Sequence, residues 1–408
     1  MFKRGRTTIA VIAVTAGVAA IAGGAVVLLP HGHAKAAEGA STAHTVSVLH
    51  VLAAAPAAGT QDVNGAAPIR LTLAGDVSPS APLPHLSPAI PGSWQRTGTT
   101  LVFTPATGFQ PHTHVTVSVP GQAWTTSYTT GTYSLLRLQQ LLAQLGFLPL
   151  SWAPDAVTPA SDAAAAAAPH STASAPAAAA ASPGTAAAGK ATDTRSTTPA
   201  APAAIAPGDA SAQLSAAYQP PAGSFSWHDG YPSELSSFWE PGQMNLVTTG
   251  AIMAFESQHG MDMDGLATPA VWTAVLHAVA AQETNPDGYS YAIASKAQPE
   301  TLTIWHDGRK VFRSYANTGI PIDPTADGTF PVYLRYRFQV MQGTNPDGSH
   351  YADPVEFVSY FHEGEAVHYF PRYSYGWPQS LGCVELPYTS AEEAWPYMTY
   401  GTLVTVTP

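Results

Sequence analysis

From Ala153 to about Gln213 the chain runs through Ala, Pro, Ser and Thr with few large apolar side chains, and this tract limits what the whole can become. A segment that buries so little apolar surface does not offset the entropy of ordering its backbone, so it reads as disordered. Its Ala runs favour transient helix, but the interspersed Pro and Ser break it. Every packed core must therefore be assembled from sequence on either side. The linker is drawn at residues 153–226, and the aromatics Phe225, Trp227, Tyr231, Phe238 and Trp239 announce a return to order. Those rings either line a glycan-contacting groove or, on the plainer reading, pack against their own small domain.

The chain begins with Lys3, Arg4 and Arg6 and enters an uncharged apolar stretch from about Thr7 to Pro30. Residues 1–37 read as an export segment. The stretch is long enough, at about 20 residues, to span a bilayer, and Ala34-Lys35-Ala36 offers a small-x-small cleavage site, so a membrane anchor and a cleaved signal peptide both stand. In either case the remainder is exported. With a formal net charge of −11 and only 11% charged residues, the chain lacks the basic patch that phosphate binding needs, which excludes a nucleic-acid partner.

At 408 residues the chain should hold more than one domain. Residues 44–131 carry short Val/Thr/Leu-rich segments such as Ile69–Leu73 and Val115–Val119, separated by Pro and Gly. Period-two alternation with frequent breakers predicts a small β-sandwich. Thr99–Pro105 with Phe109 resembles bacterial Ig-like modules, which implies a spacer. His85, His112 and His114 are too loosely spaced to read as metal ligands.

Leu138, Leu141, Leu142 and Leu145 then recur at helical spacing, with Gly146 as the stop. A matching apolar half appears only at Val247–Gly260, followed by Thr268-Pro269-Ala270-Val271-Trp272. Residues 132–152 and 241–281 together resemble the two halves of a peptidoglycan-binding helical module.

Residues 285–408 are a run of strand signals. Leu302–Trp305 and Lys310–Phe312 flank Asp307-Gly308, a hairpin signal. Thr284-Asn285-Pro286-Asp287-Gly288 recurs as Thr344-Asn345-Pro346-Asp347-Gly348; without the regular carboxylate spacing of a calcium loop, both copies read as turns. Near the end, Cys383 is the only cysteine in the chain. An exported protein that uses cysteine for stability carries it in pairs, so this thiol is either an inert core residue or a reactive one. Gly382 before it permits a tight turn that aims successive N–H groups at one point, Ser380 adds a hydroxyl, and His368 lies fifteen residues upstream at the end of an apolar run.

His368 followed by Ser380-Leu381-Gly382-Cys383-Val384 resembles the L,D-transpeptidase (YkuD-type) catalytic family. Thr318-Gly319 and Gly328-Thr329-Phe330 match further family positions, so the resemblance covers the whole C-terminal block. The sequence departs from the family at Tyr369, where Gly is usual, at Leu381, where His is usual, and at Glu385, where Arg or Asn is usual. The architecture expected is multidomain: an N-terminal Ig-like β-sandwich, a small α-helical peptidoglycan-binding-like module split by the disordered Ala/Pro-rich insertion, and a C-terminal mainly-β L,D-transpeptidase domain.

The resemblance implies Cys383 as nucleophile, His368 as general base and acid, the Gly382 backbone as part of an oxyanion hole and Ser380 as a motif residue. It implies as partners the stem peptides and glycan of peptidoglycan, with the cytoplasmic membrane added if the N-terminal segment is retained, and a place in the cell wall or on the outer face of a bacterial cytoplasmic membrane. The family orients its imidazole with a backbone carbonyl, here that of Tyr369; His362 is a lesser alternative base. No metal or organic cofactor is implied, since neither a Cys/His cluster nor a Gly-rich phosphate loop occurs. Cross-linking, trimming by a cysteine hydrolase or carboxypeptidase, and non-catalytic wall binding all remain open.

Overall fold

A computed structural model describes residues 49–76, 81–155 and 208–408. The export segment 1–37 and the linker's residues 156–207 lie outside the described residues. Among the described residues no helix is long and apolar enough to cross a membrane.

The first block contains β1 (Val51–Ala55), β2 (Ile69–Leu73), β3 (His85–Ser87), β4 (Gly92–Thr97), β5 (Thr100–Pro105), β6 (His114–Ser118) and β7 (Thr125–Thr129). They form two sheets, ordered β1-β2-β5-β4 and β3-β6-β7. Alternation decides what they bury: Ile69, Leu71 and Leu73 point inward while Arg70 and Thr72 face out, and Leu101, Phe103, Val115 and Val117 complete one core.

The helical core follows, with α1 (Leu135–Gln144), β8 (Leu150–Pro154), α2 (Ala210–Tyr218), β9 (Gly223–Trp227), α3 (Ser233–Ser236), α4 (Leu246–Gln258) and α5 (Pro269–Ala280). Helix α1 stops where the sequence says it should. Gly146 takes φ +80°, its N–H donates to the Ala143 carbonyl, and the Phe147 N–H donates to the Leu142 carbonyl, the paired bonds that satisfy a helix end. Leu138, Leu141 and Leu142 meet Val247, Ile252 and Phe255 of α4 and Val271 and Val275 of α5 in one cluster. The buried Gln139 ties the two distant segments together: its Nε2 donates to the Gln243 carbonyl at 2.9 Å and its Oε1 accepts from Gly242 N–H at 2.6 Å.

The linker boundary needs correction. Residues 153–155 and 208–226 are ordered: Ala153 and Pro154 belong to β8, which pairs antiparallel with β9, and Asp209 caps α2 by accepting the Ala212 N–H at 2.9 Å. Two small anchors, Leu214 and Ala217, are buried, and the Tyr218 hydroxyl donates to the Phe109 carbonyl of the β-sandwich at 2.8 Å. Composition averaged along the tract dilutes such anchors. The aromatics Phe225, Trp227, Tyr231, Phe238 and Trp239 all pack against the helical core, as their plainer reading held.

The last block contains β10 (Ser290–Ser295), β11 (Thr301–His306), β12 (Arg309–Tyr315), β13 (Gly328–Pro331), β14 (Leu334–Thr344), β15 (His350–His362), β16 (Glu365–Tyr369), β17 (Val384–Leu386), α6 (Tyr388–Ala394) and β18 (Leu403–Thr407). A five-stranded sheet ordered β12-β11-β10-β18-β13 accompanies a four-stranded sheet ordered β14-β15-β16-β17. Ala292, Ala294, Leu302, Ile304 and Val404 of the first pack with Phe361, Val367, Val384 and Leu386 of the second. The β11–β12 hairpin turns at Asp307 and Gly308, both at positive φ. Asn285 and Asn345 each bridge their own turn, to the Gly288 carbonyl and to Ser349 respectively.

Candidate active site

Strands β16 and β17 run parallel, with Val367 opposite Val384 and His368 opposite Glu385. Because side chains alternate along a strand, Val367 and Val384 enter the core between the sheets, whereas Ala366 and Cys383 fall on the other face beside Val355, Val358 and Tyr360. His368, Cys383 and Glu385 therefore share one face, with His368 and Cys383 as diagonal neighbours. All three line a pocket of about 340 Å³ together with Asp353, Arg372, Gln379, Ser380 and Leu381.

The segment that carries Cys383 is held on both sides. Ser380, buried, donates its hydroxyl to the Cys383 carbonyl at 2.5 Å, closing the Ser-Leu-Gly-Cys turn. Gly382 takes φ +97°, and a Cβ there would lie 3.2 Å from Glu365 Oε1. The Thr318 carbonyl accepts the N–H groups of Gln379 and Ser380, and Glu385 exchanges both backbone bonds with Asn317. Thr318 is fixed in turn by the buried Glu300, whose carboxylate accepts its N–H at 2.6 Å and its hydroxyl at 2.8 Å.

The His368 Nδ1 lies 2.9 Å from the Tyr369 carbonyl oxygen. A carbonyl only accepts, so Nδ1 carries the hydrogen and Nε2 keeps its lone pair in the neutral ring. Tyr369 packs its ring against Tyr388 and offers this bond from its backbone, so the side chain leaves the carbonyl available. Burial holds His368 below the ordinary imidazole value, against the Tyr369 carbonyl and Glu385, which favour the charged ring. Burial also pushes the Cys383 thiol up to about 12, opposed by a hydrogen bond from the Ala366 backbone and reinforced by Glu385, Glu365 and Asp323. The resting pair is therefore thiol and neutral imidazole rather than thiolate and imidazolium. The Cys383 thiol lies 4.0 Å from the Gly364 carbonyl oxygen, and the His368 Nε2 lone pair stands on the same pocket wall.

His362 lies apart. Its Nδ1 sits 3.2 Å from Glu365 Oε2, its ring packs on Phe330, and it does not line the pocket. Glu365 Oε1 accepts the Ala326 N–H, so this pair supports the loop behind Gly382.

Three residues went unread in the sequence. Arg372 enters from the loop between His368 and Cys383 and grips the buried Glu385 with Nε to Oε2 and Nη2 to Oε1, both at 2.7 Å. Asp353 reaches the pocket from β15, and Glu300 supports Thr318 from the connection just before β11. An isolated Arg inside the His–Cys interval was the one available signal, because a buried Glu after the nucleophile needs a cation.

A mainly-β domain thus presents a cysteine and a histidine with an unprotonated Nε2 on the wall of one pocket. Residues 289–406 match the family model of the YkuD L,D-transpeptidase catalytic domain. No curated protein matches the sequence. Among solved structures, the chain is similar to an L,D-transpeptidase from Mycobacterium smegmatis at 14% identity and TM-score 0.28, covering 89% of this chain and 100% of that one. It is similar to L,D-transpeptidase 3 from Mycobacterium tuberculosis in complex with a faropenem-derived adduct at 14% identity and TM-score 0.27, covering 88% and 98%. The catalytic domain of an E. faecium L,D-transpeptidase shares 25% identity at TM-score 0.27, covering 29% of this chain and 95% of that domain. At these TM-scores the assignment rests on the domain match alone.

Proposed function

We propose that the protein is a peptidoglycan L,D-transpeptidase in which Cys383 is the nucleophile and His368 the general base and acid. The reading is carried by one observation: the domain that matches the family places His368, with a bare Nε2, and Cys383 on the wall of one pocket. His368 Nε2 takes the Sγ proton as the sulfur attacks the carbonyl carbon of the bond between the third residue of a tetrapeptide stem and its terminal D-Ala. The backbone N–H groups of Gly382 and Cys383 receive the developing oxyanion, each good donor contributing about 3 kcal/mol. The imidazolium returns its proton to the departing D-Ala amine, leaving a thioester. An acceptor amine then attacks the thioester carbonyl, His368 takes its proton, and the sulfur leaves to regain a proton from the ring. The product is a new amide cross-link and free enzyme.

On this reading the β-sandwich is an Ig-like spacer, the helical core a wall-binding module and the N-terminal segment an export signal or anchor. Together they would deliver the thiol to the wall of a bacterium outside its cytoplasmic membrane.

The test is mass spectrometry of the purified protein with a carbapenem. An adduct on Cys383, absent from Cys383→Ala and slowed in His368→Ala, is expected. Incubation with tetrapeptide stems then separates cross-linking from release of D-Ala alone. A folded wild-type protein that forms no adduct would overturn the reading in favour of a non-catalytic wall-binding protein.

A further inference from the structure

After β12 the chain crosses the interior outside any named strand or helix, and Ala316, Asn317 and Thr318 are all buried. Irregular backbone in the interior needs a partner for each N–H and C=O. Here the partners converge on the nucleophile. Asn317 exchanges both backbone bonds with Glu385, the Thr318 carbonyl accepts from Gln379 and Ser380, and the Ile320 N–H donates to the Ser380 carbonyl. The stretches on either side of Cys383 are thus tied to one crossing.

The Asn317 side chain holds a second piece of the site. Its Oδ1 accepts the Gly376 N–H at 3.0 Å and its Nδ2 donates to the Ser374 carbonyl at 3.4 Å. Both partners belong to the loop 371–379, which leaves β16 and leads into the Cys383 turn. Gly376 takes φ +111°, a Cβ there would lie 3.2 Å from Pro299, and its carbonyl accepts the Glu300 N–H at 2.8 Å, so the loop is wound closely onto the crossing. An amide carries an acceptor and a donor on one short planar group, whereas a carboxylate lacks the donor. Asn317 is wholly buried and does not line the pocket, so it acts on the site only through its neighbours.

We propose that Asn317 is a positioning residue for Cys383: its backbone fixes β17, its side chain fixes the loop 371–379, and the turn from Ser380 to Cys383 is held from both ends. For its role in acylation the inference rests on the transpeptidase reading. A turn anchored on both sides keeps Sγ in one place relative to the imidazole, and near-attack geometry tolerates little error in that placement. Arg372 keeps its own grip on Glu385, so the wall that a ligand meets is unchanged without the Asn317 amide. The loss then falls on the chemical step.

The experiment is stopped-flow acylation of the full chain by a carbapenem, as wild type, Asn317→Ala and Asn317→Asp, each below its melting transition and resolved into non-covalent affinity and first-order acylation rate. At about pH 8 both variants are expected to acylate at least about tenfold more slowly than wild type, with affinity changed by less than about twofold. Asn317→Asp has a further signature. Its carboxylate sets acceptor against acceptor at the Ser374 carbonyl, but the protonated acid restores a donor there, and burial favours the neutral form. At about pH 5.5 Asn317→Asp is therefore expected to return to within about threefold of wild type at the same pH, and Asn317→Ala is not. A side chain that only filled space would give no recovery in acid. Should Asn317→Ala fail to fold, Asn317→Asp at the two pH values carries the test. Acylation of Asn317→Ala at the wild-type rate, or Asn317→Asp with the same deficit at both pH values, overturns the proposal. A wild type that forms no adduct sinks the transpeptidase reading alone. The positioning role is then read from iodoacetamide at about pH 8, with which Cys383 is expected to react at least about tenfold faster in Asn317→Ala than in wild type. An unchanged alkylation rate overturns it.

Discussion

Glu385 and Arg372 form a two-pronged ion pair, 2.7 Å at each prong, in which the carboxylate is buried and the guanidinium reaches solvent through the pocket. The asymmetry in burial makes the two partners unequal. Arg372→Ala leaves a buried carboxylate uncompensated and is expected to destabilise the protein by about 2–4 kcal/mol, below the full cost of breaking a wholly buried pair because the guanidinium is partly solvated. Glu385→Gln leaves a cation that water can reach and is expected to cost about half as much. Urea denaturation of both variants checks this, and equal losses would show that burial does not set the cost.

Ser380→Ala removes the hydroxyl that closes the turn onto the Cys383 carbonyl. The expected loss of stability is about 1 kcal/mol, but the nucleophile is no longer pinned, and acylation is expected to slow by about tenfold or more. Stopped-flow acylation beside thermal melting separates the two effects. A rate equal to wild type would mean that Glu300, through Thr318, fixes the turn unaided.

Gly382→Ala places a β-carbon on a residue at φ +97° and 3.2 Å from Glu365 Oε1. Strain of about 1–3 kcal/mol is expected, released by a shift of the turn, with acylation reduced in parallel. Melting temperature and acylation rate measured on the same sample report both, and an unstrained, fully active Gly382→Ala protein would contradict the turn geometry.

The pH dependence has a definite sign at each end. His368 is held below its ordinary value by burial, so between that native value and about 6.5 the unfolded chain binds more protons, and stability falls as pH drops through this window. The neutral ring is the base, so acylation is expected to persist below pH 6.5 and to fall only as the native ring becomes protonated. Cys383 is raised to about 12, so above about 8.5 the unfolded chain releases its thiol proton first and stability declines as pH rises further. At pH 8 iodoacetamide is expected to alkylate native Cys383 at least about a hundredfold more slowly than the unfolded thiol. Alkylation at equal rates would indicate a preformed thiolate.

Much of this molecule can be read locally. The alternation of Ile69, Leu71 and Leu73 dictates which face of β2 is buried, Gly146 ends α1, and Asp307-Gly308 turns a hairpin, because each signal acts over a few residues and needs only the periodicity of its own element. The short segment Ser380–Cys383 likewise carried its own turn geometry. Local signals could not reveal that β8 and β9 pair across the Ala/Pro tract, since composition averages away a strand whose partner lies far along the chain. Nor could they reveal that Glu385 is answered by Arg372, that Glu300 supports Thr318 from the connection before β11, or that Asp353 faces the same pocket. Sequence by itself determined the chemistry on offer, one thiol and one histidine at the end of a strand. Tertiary structure decided the protonation states and the neighbours, because both depend on burial and on parallel strand register, which bring together groups that no short-range pattern connects.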